Sequence, residues 1–222
     1  MPIFSTNLLN IKDSILKVSE KIVRDYYELE NLQSSFNGTS KFTNILLNTV
    51  KDKFLYFFNK TDYEVFYENE KVKDGNNGKI FINIDGKLNL AHSIPYFCIA
   101  VTYQKQDKII CGVIENPITQ ETFMVERGSG GYLNNKKIRV SNRESANESI
   151  IALTKYNPKY QDSIITKSAL LNMCYLSSGK YDMTVVNDSK VNEIGVLLAK
   201  ESGALTINNK DEIIITNGKL KI

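Results

Sequence analysis

Residues 84–141 read IDGKLNLAHSIPYFCIAVTYQKQDKIICGVIENPITQETFMVERGSGGYLNNKKIRVS, and the texture of this stretch decides the fold. Its apolar runs, 96–103 (YFCIAVTY), 108–114 (KIICGVI) and 122–126 (TFMVE), are rich in β-branched and aromatic residues. QKQD and NPIT separate them, connections too short to hold a crossover helix. The spacing predicts adjacent antiparallel strands that lead away from a turn at Asp85.

Working outward toward the N-terminus, YEVFYE (63–68) and KIFINI (79–84) extend this antiparallel meander, with KVKDGNNG (71–78) as the turn between them. Before any strand, Leu8, Ile11, Ile15, Val18, Ile22, Tyr26 and Leu29 recur at steps of three and four and predict an amphipathic helix over 6–32. After the polar break SSFNGTS, Leu46, Val50, Phe54 and Phe57 predict a second helix over 41–58, capped by Thr39 or Ser40. Both helices are expected to pack on the sheet.

Toward the C-terminus the pattern alternates. SIIALT (149–154) reads as a strand, 167–179 as a helix, KYDMTVV (180–186) as a strand, 189–203 as a helix, and ALTI and EIIIT as closing strands. Helices and strands are segregated first and alternate later, which favours an α+β arrangement of stacked layers over a doubly wound sheet. The polar segment 141–149 suggests two lobes, 1–142 and 143–222.

Composition narrows the function classes. With 222 residues, 42% hydrophobic and 24% charged, the chain can bury one large core or two small ones. The formal net charge is +3 with both signs interspersed, so neither direct nucleic-acid binding nor a membrane surface is implied. No apolar run reaches the ~20 residues of a membrane span, and the start lacks signal-peptide order, which points to the cytoplasm. Cys98, Cys111 and Cys174 sit in apolar contexts without metal-ligand spacing and read as buried free thiols.

Asp85, Gly86, Asn89, His92, Pro95, Asn116, Pro117, Glu121, Phe123, Gly128, Gly130, Leu133, Asn134, Ile138 and Ser141 fall in register with the D-P-I-D-G-T-x-N-F-x-H-x-x-P, N-P-x-x-x-E-x-F, G-x-G and L-N-G-x-x-I-x-V-S patterns of the inositol monophosphatase family, which this stretch resembles. More weakly, YENE (67–70) sits at the family's G-E-E, and KESGA at its E-A-G-G. The resemblance implies a layered αβαβα sandwich, usually homodimeric, that hydrolyses phosphate monoesters with Mg²⁺. In such chemistry the ions polarise the phosphoryl group and activate water. Hard Mg²⁺ needs oxygen ligands, so the carboxylates carry the test.

Carried over residue by residue, Glu68 and Asp85 match metal ligands and are the catalytic candidates, with Lys87 where the family has the Thr that orients water. Gly86 and Lys87 are the phosphate-binding candidates. Ile82 stands where the bridging Asp belongs, and Asn83 where the Pro does. Counting back from Glu201 and Gly203 places the second metal's Asp on Val191, its Trp on Lys190, and the substrate-binding Glu on Val186. A slip in that helix would bring Asp188 into play. His92 is read as structural, because the family carries a His there outside its catalytic set. Lys87 and Lys190 would neutralise the remaining carboxylates without metal, or else point into water. The span from Ser149 to Leu176 is short for the family, so the second lobe reads as trimmed.

The expectation is therefore a family member with Mg²⁺ binding weak or absent and hydrolysis lost or strongly weakened, which binds a phosphorylated small molecule or a protein partner, as a homodimer. An active phosphatase with a remodelled one-metal site is the alternative. A protein-interaction role is a third reading, since some bacterial members are linked to transcription.

Overall fold

A computed structural model describes residues 4–32, 36–187, 193–209 and 212–220 of the chain; side chains of 29–42 and 187 are not among those described. The chain forms two compact units, Met1–Glu121 and Thr122–Ile222. The polar segment 141–149 lies inside the second.

In the first unit, α1 (Thr6–Leu32) and α2 (Phe36–Phe58) pack side by side. The α1 stripe is buried from Leu8 through Tyr26, each residue at most 4% exposed; Leu29 is outside the described side chains. At ~1.5–3 kcal/mol for each large apolar side chain removed from water, this stripe is what fixes α1 to the strands. Helix α2 starts at Phe36, five residues before the expected position, through Gly38, Thr39 and Ser40. Polar residues and glycine are tolerated there because first-turn N–H groups have no intrahelical partner to lose. The capping role expected of Thr39 or Ser40 falls on side chains outside the described set. Phe54 and Phe58 of α2 are buried and stack with centroids 6.5 Å apart.

The strands of this unit are β1 (Glu64–Tyr67), β2 (Glu70–Lys73) and β3 (Lys79–Asp85), then, after the short helix α3 (Lys87–Ala91), β4 (Cys98–Lys105) and β5 (Lys108–Asn116). Their order is β2-β1-β3-β4-β5. From β3 to β5 the strands are antiparallel neighbours, as expected, with Ile82 opposite Val101 and Val101 opposite Val113. Earlier the meander reading fails. Part of the expected 71–78 turn is strand β2, which folds back antiparallel on β1, and β3 then enters on the other side of β1, parallel to it. The hairpin supplies the chain length that a parallel return needs. Residues 74–78 wrap Tyr63 so closely that a Cβ on Gly75 would lie 2.2 Å from the Tyr63 carbonyl carbon. Helix α1 covers β4 and β5, and α2 contacts β1. Cys98 and Cys111 are buried in this unit as thiols outside any disulfide.

Strand β6 (Glu121–Glu126), which belongs to the second unit from Thr122 onward, pairs antiparallel with β7 (Gly130–Leu133), which pairs with the two-residue β8 (Lys136–Lys137). The Glu201 carboxylate accepts from the Gly128 and Gly130 N–H groups at 2.8 and 3.0 Å and so braces the β6–β7 turn. The other strands are β9 (Ile151–Leu153), β10 (Ile164–Ile165), β11 (Met183–Asn187), β12 (Leu205–Asn208) and β13 (Glu212–Thr216), in the order β10-β9-β11-β13-β12. Helices α4 (Ala169–Ser177) and α5 (Glu193–Glu201) pack on each other. Cys174 is buried within α4 as a thiol outside any disulfide. The expected strand-helix-strand-helix-strand sequence is present here, and the α+β class with it. Strands β7, β8 and β10 were not expected from sequence, because runs such as GGYL, KK and II are too short to show period-two alternation.

Asp182 organises this unit. It is fully buried, and its carboxylate accepts from Ser141 Oγ, from Arg143 Nε at 3.0 Å to both oxygens, from the Ile150 N–H at 2.8 Å and from Asn217 Nδ2 at 3.2 Å. Arg143 Nη2 in turn donates to the Gly179 carbonyl at 2.7 Å. This network ties the polar segment 141–150 to the strand below.

Candidate functional site

The β1–β2 connection is two residues long, Glu68 and Asn69, with Tyr67 opposite Glu70. Both have positive φ, 51° and 69°, the mark of a type I′ turn whose twist suits the flanking strands. Asn tolerates this region; a glutamate there costs about 1 kcal/mol, a strain that points to a role for its side chain. That side chain is held at both ends. Oε1 accepts from the Ile84 N–H at 2.7 Å, and Oε2 forms an ion pair with Lys87 Nζ. The Glu68 N–H itself donates to the Ile82 carbonyl at 2.9 Å, continuing the parallel β1–β3 pairing past its end.

Gly86 sets the direction of the chain as it leaves β3. Its φ is 78°, and a Cβ would stand 2.7 Å from the Tyr96 carbonyl oxygen and 2.9 Å from Phe97 Cα, so no side chain fits. This turn makes Lys87 the first residue of α3 and sends its ammonium back to Glu68. The loop after α3 is clamped by asparagines of the motif. Asn89 Nδ2 donates to the Tyr96 carbonyl at 2.6 Å and Asn116 Nδ2 to the Pro95 carbonyl at 3.1 Å, while Asn116 Oδ1 accepts from the N–H groups of Ile118 and Thr119. Several residues that carry the sequence pattern are thus builders of turns rather than reactive groups.

Of the remaining candidates, Asp85 ends β3 opposite Cys98 and is half-buried. Ile82 is 1% exposed, locked between Tyr67 and Val101 in register. His92 is exposed at the C-terminal end of α3, away from the core. Val186 is buried in β11 opposite Ile213, an aliphatic pair. Lys190, Val191 and Asp188 are outside the described residues. Burial first, and then the charge of Glu68, push the Tyr67 phenol well above its ordinary range, and its hydroxyl donates to the Leu47 carbonyl at 2.8 Å.

Two features were not legible beforehand. The Ile84 N–H is a fixed donor to Glu68, and of the two carboxylates that Lys87 was expected to neutralise it meets Glu68, across 19 residues of sequence. Both result from the parallel β1–β3 pairing, which no local pattern announces. Among the described residues, no three His, Cys, Asp or Glu side chains converge into a group able to hold a metal ion. None of the described helices is long and apolar enough to cross a membrane.

This chain also resembles known proteins along most of its length. It is 28% identical to an inositol-1-monophosphatase of Rhizobium meliloti, over 88% of this chain and 83% of that one. It is 32% identical to the Nus factor SuhB of Buchnera aphidicola subsp. Schizaphis graminum over 61% of this chain and 58% of that one. In three dimensions it matches the extragenic suppressor protein suhB of Bartonella henselae with a TM-score of 0.80 at 22% identity, covering 96% of this chain and 94% of that chain. An inositol monophosphatase from Anabaena gives 0.76 at 19% identity, covering 96% and 91%. Residues 83–196, just over half of the chain, match the model of the inositol monophosphatase family, and the chain belongs to that family.

Proposed function

We propose that this protein binds a phosphorylated small molecule at the Glu68, Asp85 and Lys87 corner and that the Mg²⁺-dependent hydrolysis of its family is lost or strongly weakened. The observation that carries this reading is the state of Glu68, both of whose carboxylate oxygens are engaged by groups of the same chain. Mg²⁺ asks for a near-octahedral set of oxygens at ~2.0–2.1 Å and usually keeps several waters. The donors here do not fit a two-ion centre: Glu68 is spoken for, Asp85 stands as the other carboxylate, and the buried Ile82 offers no oxygen.

What this corner offers in place of a metal ion is one ammonium, that of Lys87, beside the Glu68 and Asp85 carboxylates. A lysine ammonium has three N–H donors, of which Glu68 takes one, and the other two can meet phosphate oxygens. Lys87 and the Gly86 turn are the phosphate contacts in this reading, with Asp85 positioned for a ligand hydroxyl. We place the protein in the cytoplasm as a homodimer. A role through a protein partner is a second outcome, favoured by the relatives named Nus factor SuhB.

Titration calorimetry with Mg²⁺ and Mn²⁺, run beside a phosphate-release assay on a panel of sugar phosphates, tests the reading. Weak or no metal binding and no Mg²⁺-dependent release are expected of the wild type. The triple variant Ile82→Asp, Lys87→Thr, Val191→Asp is expected to gain metal affinity. Tight stoichiometric binding or brisk turnover by the wild type would overturn the proposal. Light scattering checks the assembly, where a monomer mass at micromolar concentration counts against the dimer.

A further inference from the structure

We infer that Lys87 is a built-in competitor of divalent cations, a tethered monocation that holds the Glu68 oxygen a metal ion would need. The inference deepens the proposed function and rests on it for the location of the site.

Three observations converge on it. The Glu68 carboxylate is oriented, because the Ile84 N–H fixes Oε1 at 2.7 Å and thereby aims Oε2. The aimed oxygen meets Lys87 Nζ. The backbone brings both residues to the same corner: Glu68 is fixed in a two-residue turn at φ 51°, and Lys87 comes directly after Gly86, whose close approach to Tyr96 and Phe97 admits no Cβ. A strained turn, a sterically obligatory glycine and a directed hydrogen bond thus serve one ion pair.

An ammonium and a divalent ion on that oxygen oppose each other, because their like charges would lie within ~4 Å of each other. By Coulomb's law that repulsion alone is worth about tenfold or more in cation affinity, even at the dielectric constant of water. Lys87 has 43% of its side chain exposed, so its replacement does not open the core. Chemically, the site selects against hard divalent cations and stays paired without them.

Mn²⁺ binding to the full chain, followed by electron paramagnetic resonance of the free ion and by calorimetry, tests this on the wild type, on Lys87→Met and on Lys87→Thr. Both variants are expected to bind Mn²⁺ at least tenfold more tightly than the wild type, and adding Glu68→Gln to Lys87→Met is expected to abolish the gain. Two different replacements guard against a folding defect particular to one of them. The inference is overturned if neither variant binds more tightly, or if the gain survives in the Glu68→Gln background, which would place the ion elsewhere. Phosphate release by the wild type is scored separately: turnover there would sink the loss of hydrolysis, whereas the affinity ratios alone decide the competition by Lys87.

Discussion

Glu68 and Asp182 are both carboxylates with each oxygen bound by the chain, yet they do opposite work. Asp182 lies fully buried in the second unit and accepts from Ser141, Arg143, Ile150 and Asn217. Glu68 lies at a turn of the first unit with 29% of its side chain exposed and a half-exposed lysine as its counterion. Complete hydrogen bonding is therefore no measure of energetic weight. Burial decides it, because a charge out of water must be satisfied by its partners, whereas an exposed charge can fall back on solvent.

The sharpest way to break the comparison is to remove the Asp182 counterion. Arg143→Ala leaves a buried charge without its cation and should cost about 3–5 kcal/mol in a urea melt. A cost below 1 kcal/mol would mean that the Ser141, Ile150 and Asn217 donors suffice. Next in size, Gly86→Ala should cost about 2 kcal/mol or more, since a left-handed φ is added to a 2.7 Å clash with the Tyr96 carbonyl. An unchanged melting temperature would show that the 92–97 loop is not clamped as described.

Smaller still is Glu68→Gln. The amide oxygen can keep the Ile84 N–H bond while the ion pair is lost, and exposed pairs contribute only about 0.2–1 kcal/mol. Stability should fall by less than 1 kcal/mol; a larger loss would place Glu68 beside Asp182 as a structural keystone.

The last effect is a matter of pH. The Tyr67 phenol is raised by burial above its ordinary value of about 10, so the folded state favours the neutral form. Its contribution is fully present below that pH and is lost as pH rises toward the folded value. Burial raises Tyr63 and Tyr103 as well. Tyr67→Phe should make the alkaline limb of stability between pH 9 and 11 shallower without removing it, at a cost of ~1 kcal/mol at neutral pH for the lost bond to Leu47. A limb of unchanged slope would rule Tyr67 out as its source.

How much of the molecule was legible beforehand depends on the range of the interactions. Leu8 through Tyr26 announced α1, and the runs at 98–103 and 108–114 announced β4 and β5, because periodicity is local. The Glu68-Asn69 turn was missed because its first residue is a glutamate, where the usual signal for a type I′ turn is Asn or Asp before Gly. The parallel placement of β1 on β3 was missed because nothing within either strand encodes its partner. The candidate site suffers most from this: Glu68, Asp85, Gly86 and Lys87 could each be named, but that Lys87 meets Glu68 depends on the one pairing that sequence does not show.

The ion pair between the β1–β2 turn and the start of α3 has a consequence for supply. A metal ion must be drawn from a pool whose level varies, and its occupancy tracks that level. A cation carried by the chain is present at an effective concentration fixed by geometry, on the order of millimolar or above for a short connection. In the proposed reading, the charge state of this corner is set when the chain folds, and fluctuations in the ions around it shift it little.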